Sequence, residues 1–411
     1  MRTFSSCDRR HIVGSLVAGL VTAGALVPLG PSLGATRLVP EEFATIQSAI
    51  DACASGDTVL VGPGTYRGPG NRGIEFGGHD VVLRSRNGAE DTVLDCEMAD
   101  RGFFLNAQET AAARIEGLTV FRGYATQGFG GSGGGILCGI SDVGIVDCRF
   151  VDCHARSDGG ALALVVYAGI VDGCVIEGCS AERGGGIVYA IGGGEVRNCV
   201  VTGNSAIHGG GVCFESVGPN RLTGCTIAAN VSSGSGGGIY AINLLYLERC
   251  IVWDNCGTLG AEEIWCAEAD IRCSDVDSTG VWPGPASYDA DCLFDDPAFC
   301  SPVLCGLHTD GDWSLGSTSL CLAEHSPCGQ LIGALGSGCG GPTPTGACCF
   351  PDGSCRLLRE AECADEQGEY QGDDTSCVPI PCQPTPVEVT TWGRVKAVFR
   401  PVRIANNGGQ W

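Results

Sequence analysis

Three side chains of complementary chemistry recur at one interval: Asp158, Arg183 and His208 stand 25 residues apart. Brought to one patch, a carboxylate, a cation and an imidazole can take a proton from a bound substrate and return it. The same three can also neutralise one another as a salt-bridged column. Each is followed by glycine, at Gly159, Gly184 and Gly209, and Ser132 and Ser235 hold the equivalent place before Gly133 and Gly236. Bare backbone beside the column leaves room for a ligand chain. Glycosidic hydrolysis would instead need two carboxyl groups at about 5 Å or about 6.5–9.5 Å. The neighbouring outward columns are Val146, Asp172, Arg197, Thr223, Glu248 and Asp147, Gly173, Asn198, Gly224, Arg249. Neither stacks carboxylates, and Asp172 beside Arg197 reads as an exposed ion pair of little worth. Lys396 is the one lysine and lies outside the repeats, which leaves no lysine-dependent mechanism there.

The element that positions these residues is a repeat. Cys148, Cys174, Cys199, Cys225 and Cys250 are separated by 26, 25, 26 and 25 residues, and Cys153, Cys179, Asn204, Asn230 and Asn255 follow five residues behind them. A third series is glycine-rich: Gly133-Gly134-Gly135-Ile136, Gly159-Gly160-Ala161-Leu162, Gly184-Gly185-Gly186-Ile187, Gly209-Gly210-Gly211-Val212 and Gly236-Gly237-Gly238-Ile239. Interleaved columns of one period mean stacked units. Cysteine and the residue two later (Phe150, Ile176, Val201, Ile227, Val252) share a strand face. The aliphatic residue three before the cysteine is out of phase, so the chain must kink just ahead of it. Units of this size cannot bury an apolar face alone, whereas stacking makes a continuous core with strands ~4.8 Å apart. Like then lies over like: a cysteine ladder inside, an aliphatic ladder beside it, and Asn amides bonding from coil to coil. Asn tolerates a left-handed backbone, and the glycine runs supply positive φ and close approach at another corner.

At this point the chain resembles the right-handed parallel β-helix, or pectin-lyase-like, superfamily. The GGGI runs with Val201-Thr202-Gly203-Asn204 are similar to the GGAI and FxxN repeats of polymorphic outer-membrane proteins. The stretch Val39 to Ile50, followed by Gly56-Asp57-Thr58-Val59-Leu60-Val61 and Pro63-Gly64-Thr65-Tyr66, is similar to the opening of secreted β-helices. There a short amphipathic helix, here around Ile46 to Ala52, caps the first strand. The resemblance covers roughly residues 37–341 and implies an all-β solenoid; it implies little about activity, because such folds carry enzymes and non-catalytic proteins alike. The Asn-Thr-Asp, Gly-His-Gly and Arg-Ile-Lys motifs of polygalacturonase-type hydrolases are absent, Gly77-Gly78-His79-Asp80 lacks the second glycine, and Asp295-Asp296 stands alone near the end of the repeats.

Residues 1–35 have the layout of a secretory leader: Arg2, Arg9 and Arg10 before an apolar run, then small residues. Asp8-Arg9-Arg10-His11-Ile12 is a partial twin-arginine pattern, which leaves the export route open. No later stretch is apolar enough to span a bilayer. Export agrees with 27 cysteines, more than a cytosolic chain carries. The ladder cysteines are expected as buried thiols, since parallel Cα–Cβ directions hold neighbouring Cβ atoms too far apart to bridge. Residues 36–341 form the expected β-helix, 342–345 a linker, 346–382 a cysteine-rich module, and 383–411 a linker and basic amphipathic tail. In the module, Cys348, Cys349, Cys355, Cys363, Cys377 and Cys382 read as disulfide staples for a unit with little core. A zinc site would need Cys-x-x-Cys knuckles, and none is present. The module resembles the GACC repeat appended to other secreted bacterial β-helix proteins.

A net charge of −23 disfavours nucleic acid and anionic membrane. No cofactor is implied; the acidic loops Asp289-Ala290-Asp291 and Asp295-Asp296 would suit Ca²⁺, but the EF-hand and GGxGxD spacings are missing. The reading that these observations favour is a secreted or cell-surface, monomeric interaction protein that binds glycan or extracellular matrix. The alternative is a polysaccharide lyase or glycoside hydrolase, and Asp158, Arg183 and His208 are then its candidate residues.

Overall fold

The computed structural model describes residues 34–126, 129–193, 195–216, 218, 220–258, 263–277, 280–303, 305, 311–339 and, in the C-terminal module, 346–350, 354–358, 363, 368–371, 375 and 377. Residues 1–33 of the expected leader, the expected linker at 342–345, Cys382 and the expected tail lie outside the described residues. The chain winds as a parallel β-solenoid of about 11 turns. Each repeat contributes one strand to each of three faces. The first face holds Ile136–Cys138, Leu162–Val166, Ile187–Ile191 and Val212–Phe214. The second holds Gly144–Val146, Ile170–Asp172, Glu195–Arg197 and Asn220–Thr223. In the next two coils a single strand, Ile239–Glu248 and then Ile264–Arg272, runs through both faces. The third face is a nine-stranded parallel sheet that includes Arg149–Val151, Val175–Glu177, Val200–Thr202, Thr226–Ala228 and Ile251–Trp253.

The corners explain the periodicity. The residue just before each ladder cysteine, Asp147, Gly173, Asn198, Gly224 or Arg249, has φ of 51°, 66°, 51°, 62° or 55°. One left-handed residue redirects the strand and puts the aliphatic position three earlier back into the core, as the out-of-phase spacing requires. A second such corner falls at Asp152, Gly178, Gly203, Ala229 and Asp254. There the left-handed residue precedes each Asn of the ladder; the Asn itself is not left-handed. In the glycine runs only the first residue has positive φ, and at Gly159 an added Cβ would sit 2.0 Å from the Leu162 carbonyl oxygen. The second residue is excluded by the next coil, since a Cβ on Gly160 would lie 2.1 Å from the Gly185 oxygen.

Inside, Cys148, Cys174, Cys199, Cys225 and Cys250 are buried, unbridged and stacked on consecutive coils. Their thiols reach backbone carbonyl oxygens, as Cys199 does to Arg197 at 3.0 Å. Burial pushes Cys148, Cys199 and Cys250 well above the ordinary thiol range. The Asn column is a continuous hydrogen-bond chain. The Cys179 amide donates to Asn204 Oδ1 at 2.9 Å, and Asn204 donates its N–H and Nδ2 to Asn230 Oδ1, both at 3.0 Å. Asn230 repeats this to Asn255 at 3.0 and 2.9 Å. Asn255 then gives both donors to the Glu263 carboxylate, at 3.0 and 2.6 Å. Glu263 is buried and closes the ladder.

At the N-terminal end, helix Ile46–Ile50 is capped by Thr45 and buries Ile46, Ala49 and Ile50 against the first coil. Leu293 makes the last parallel bridge of the stack, to Asp275, and the described residues between 295 and 339 leave it. They fold back as a strap over the outer surface of the third face, where Trp313 packs with Val200, Ala228 and Ala229. The strap is tied down by the Gly333 N–H to the Arg249 oxygen at 2.8 Å and by disulfides Cys256–Cys305 and Cys273–Cys328. A third bond, Cys300–Cys339, lies within it. The module pairs Gly346–Cys349 with Cys355–Leu358 and Glu369–Tyr370, with disulfides Cys348–Cys363 and Cys355–Cys377; Cys349 is also disulfide-bonded.

Two consequences can be measured. Asn230→Ala strips the acceptor from two buried donors of Asn204 and should cost roughly 3 kcal/mol or more in chemical denaturation; a loss under about 1 kcal/mol would show that the ladder is incidental. Burial raises Glu263 from its ordinary value of 4.5 to about 8, against the opposing bonds from Asn255. A raised carboxyl favours the folded state below its unfolded value and loses that advantage as pH climbs through the folded one. Asp275, raised by burial to about 7, gives a slope of the same sign that is common to the wild type and a Glu263 variant and cancels between them. The melting temperature of the wild type relative to Glu263→Gln should therefore fall between pH 5 and pH 9. A constant difference would contradict it.

Candidate functional site

On the outside, the stacking brings the three sequence-predicted residues together. Asp158, Arg183 and His208 bridge in parallel on successive coils. Arg183 Nε donates to Asp158 Oδ1 at 2.7 Å, and Ser132 Oγ donates to Asp158 Oδ2 at 3.1 Å. The guanidinium also reaches across the first face to Glu215, whose two oxygens accept from Nη1 at 2.7 and 2.8 Å. Partial burial pulls the Arg183 pKa down, but Asp158 and Glu215 outweigh it and hold the group above its ordinary value. A guanidinium that abstracts a proton needs the opposite shift. The arginine also fills the space between the two carboxylates, so they do not flank an open position as a glycosidase pair must.

His208 belongs to a different neighbourhood. Its ring centroid lies 5.2 Å from that of Tyr240, and Tyr240 stacks on Trp265 at 4.5 Å and 9°. Tyr240 and Trp265 continue the outward register of Leu137, Ala163, Val188 and Cys213. These four are buried although they point away from the core. Their burial and the Arg183 reach show what the clamp does: it lies over an apolar stripe and shields it.

A more open feature lies on the second face. A hollow of about 400 Å³ is lined by Arg114, Asp142, Gly144, Ile170, Glu195 and Arg221, with Ala111, Ala168, Gly169 and Gly193 beside them. Arg114 pairs with Gly144, Ile170 with Glu195, and Glu195 with Arg221 in backbone register. This column therefore crosses five coils, a run of about 19 Å at ~4.8 Å per step. Glycine at Gly144, Gly169 and Gly193 removes the side chains that would fill it. Arg221 stacks over the Tyr246 ring at 4.9 Å, and among the described residues it has no carboxylate within 4 Å. Asp142 accepts the Ala168 N–H at 2.7 Å, and Glu195 accepts Thr223 Oγ1 at 3.3 Å. Among the described residues, no three or more His, Cys, Asp or Glu side chains are grouped to hold a metal ion, and no helix is long and apolar enough to cross a membrane.

Glu215, Arg221 and Glu195 were not among the sequence candidates. The outward columns singled out from the repeat end two residues before the ladder cysteine, whereas the groove is built four residues before it, at Gly144, Ile170, Glu195, Arg221 and Tyr246. The same period would have shown that column. Glu215 is reached diagonally, 32 residues on from Arg183, and no period marks it.

No family model matches the chain, and no curated protein matches it. Among solved structures, pectate lyase Pel9A is similar at 14% identity, over 71% of this chain and 90% of that chain, with a TM-score of 0.36.

The clamp makes a prediction of its own. Arg183→Ala leaves Asp158 facing Glu215 and uncovers the stripe, so it should lower stability by about 1 kcal/mol, the upper end for a surface network, and leave ligand binding unchanged. Lost binding with an unaltered denaturation midpoint would return the column to the candidate ligand site.

Proposed function

We propose that the protein is an extracytoplasmic binding scaffold that holds an extended glycan lengthwise in the groove on the second face and does not cleave it. The observation that carries this reading is the groove itself: an open trough over five coils with four charged side chains at its rim and a floor of glycines. Coils repeat at ~4.8 Å, close to the advance of one pyranose ring along an extended chain, so each coil meets one sugar. Rim carboxylates and guanidinium groups are suited to pairs of sugar hydroxyls. The clamped state of Arg183, held between Asp158 and Glu215, favours binding over turnover. The disulfides of the strap and module agree with a place outside the cytoplasm.

The test is a panel of soluble polysaccharides, followed by affinity electrophoresis and, in parallel, by assays for new reducing ends and unsaturated products. Retardation by at least one glycan without product is expected, and Glu195→Ala combined with Arg221→Ala should remove it. Product formation would make the protein an enzyme. Retardation that survives the double substitution would move the site elsewhere.

A further inference from the structure

We infer that the groove takes an uncharged, hydroxyl-rich chain, with the apolar faces of its rings on an aliphatic lip and its hydroxyl edge on Arg221, Asp142 and Glu195; this rests on the binding reading above. The first observation is charge. The rim sets Arg114 and Arg221 against Asp142 and Glu195, so the formal charges cancel within the trough. The chain around it carries −23. A polyuronate would gain from the two guanidinium groups what it loses to the two carboxylates and would then meet a like-charged body at longer range, a penalty that a neutral chain does not meet.

The second observation is the lip. At the corner between the first and second faces, Ile140, Val166 and Ile191 are 45%, 46% and 55% exposed. Val166 and Ile191 are in backbone register on adjacent coils, and the Val166 N–H bonds to the oxygen of Gly139, which precedes Ile140. Isolated exposed aliphatics are ordinary on a protein surface, but three in line on one edge of a trough form a patch. Val166 and Ile191 stand two residues before the lining residues Ala168 and Gly193. The trough therefore has an aliphatic edge beyond Ala168 and Gly193, with Asp142 on that same side, and opposite it a column in which Arg114, Glu195 and Arg221 share the run with Gly144 and Ile170. A pyranose chain likewise offers C–H faces and a hydroxyl rim.

Among the polar groups, Arg221 is best placed to set the register of the ligand. Its guanidinium is held against Tyr246 and, among the described residues, no carboxylate lies within 4 Å of it, although, behind the hydrogen bond from Arg272, it helps from a distance to hold the Asp270 carboxyl down. Its donors are therefore oriented and not taken up in an ion pair. Asp142 uses Oδ1 on the Ala168 amide and has its other oxygen available, while Arg114 is 3.4 Å from Glu116 and already engaged.

The experiment is calorimetric titration of the full chain with neutral gluco- and manno-oligosaccharides and, separately, with oligogalacturonate. A neutral oligosaccharide should bind at least tenfold more tightly than oligogalacturonate. Arg221→Ala and Ile191→Asp should each weaken it tenfold or more, with Arg183→Ala unchanged; Glu195→Gln should strengthen oligogalacturonate. Circular dichroism melts confirm folding, and Val166→Ser replaces Ile191→Asp if that variant melts early. Equal or tighter oligogalacturonate binding that the groove variants still weaken would overturn the neutral-chain inference and leave the groove reading standing. No oligosaccharide binding, or binding indifferent to the groove variants, would overturn both.

Discussion

The constraint on which everything else depends is that each coil must satisfy the polar groups of the coil beside it. A solenoid has no other source of partners for its interior backbone, and a buried N–H left alone costs as much as a lost hydrogen bond. Strand registers meet most of the demand, but at the second corner the left-handed residue breaks the ladder. Asn204, Asn230 and Asn255 repair it, each by accepting the amide of the coil before it. Such a chain needs a terminal acceptor, and another amide would only pass the need onward. Glu263 ends it because its carboxyl group offers two oxygens to the two donors of Asn255. The cost is a buried acid, visible in its raised pKa.

In-register stacking also repeats charge, and like charges at ~4.8 Å repel. The outer columns avoid this by alternation. Asp158 meets Arg183 at 2.7 Å and Asp172 meets Arg197 at 2.9 Å within their columns, and Arg149 meets Glu177 diagonally at 2.7 Å. A triplet of acid, cation and imidazole at one period is therefore what a charged solenoid face produces for its own stability. For this fold, complementary charges in a column are weak evidence of catalysis. A charge outside any ion pair is stronger evidence of a ligand, and among the described residues Arg221 in the groove has no carboxylate within 4 Å.

Much of the fold was legible from the chain because a repeat converts position into structure. The kink before each ladder cysteine follows from phase, and the left-handed φ of Asp147 and Asn198 is its physical form. The stacking of Asp158, Arg183 and His208 follows from their interval. What stayed hidden depends on contacts without a period. Arg183 crosses two columns to reach Glu215, Glu263 reaches the Asn ladder from eight residues beyond Asn255, and the strap returns across several coils at once. The strap does leave a trace: Arg149 gives way in register to Val175 and Val200, as the covered coils exchange charge for apolar surface.

The cysteines divide along the same line. Those in the ladder share a register, so their Cα–Cβ directions are parallel, and the coil spacing that brings them together also keeps them from bridging. They serve as small apolar side chains with a weak donor aimed at a carbonyl. Cys256 and Cys273 lie in the solenoid too, yet each forms a disulfide, because its partner comes from the strap and approaches from outside the stack at a Cα–Cα distance of 6.0 Å. Cys179, which is buried, and Cys256, which is half-buried, differ in the direction from which a second cysteine approaches. The solenoid therefore spends its cysteines on packing and the strap spends them on attachment, and the geometry of a parallel stack is sufficient to separate the two uses.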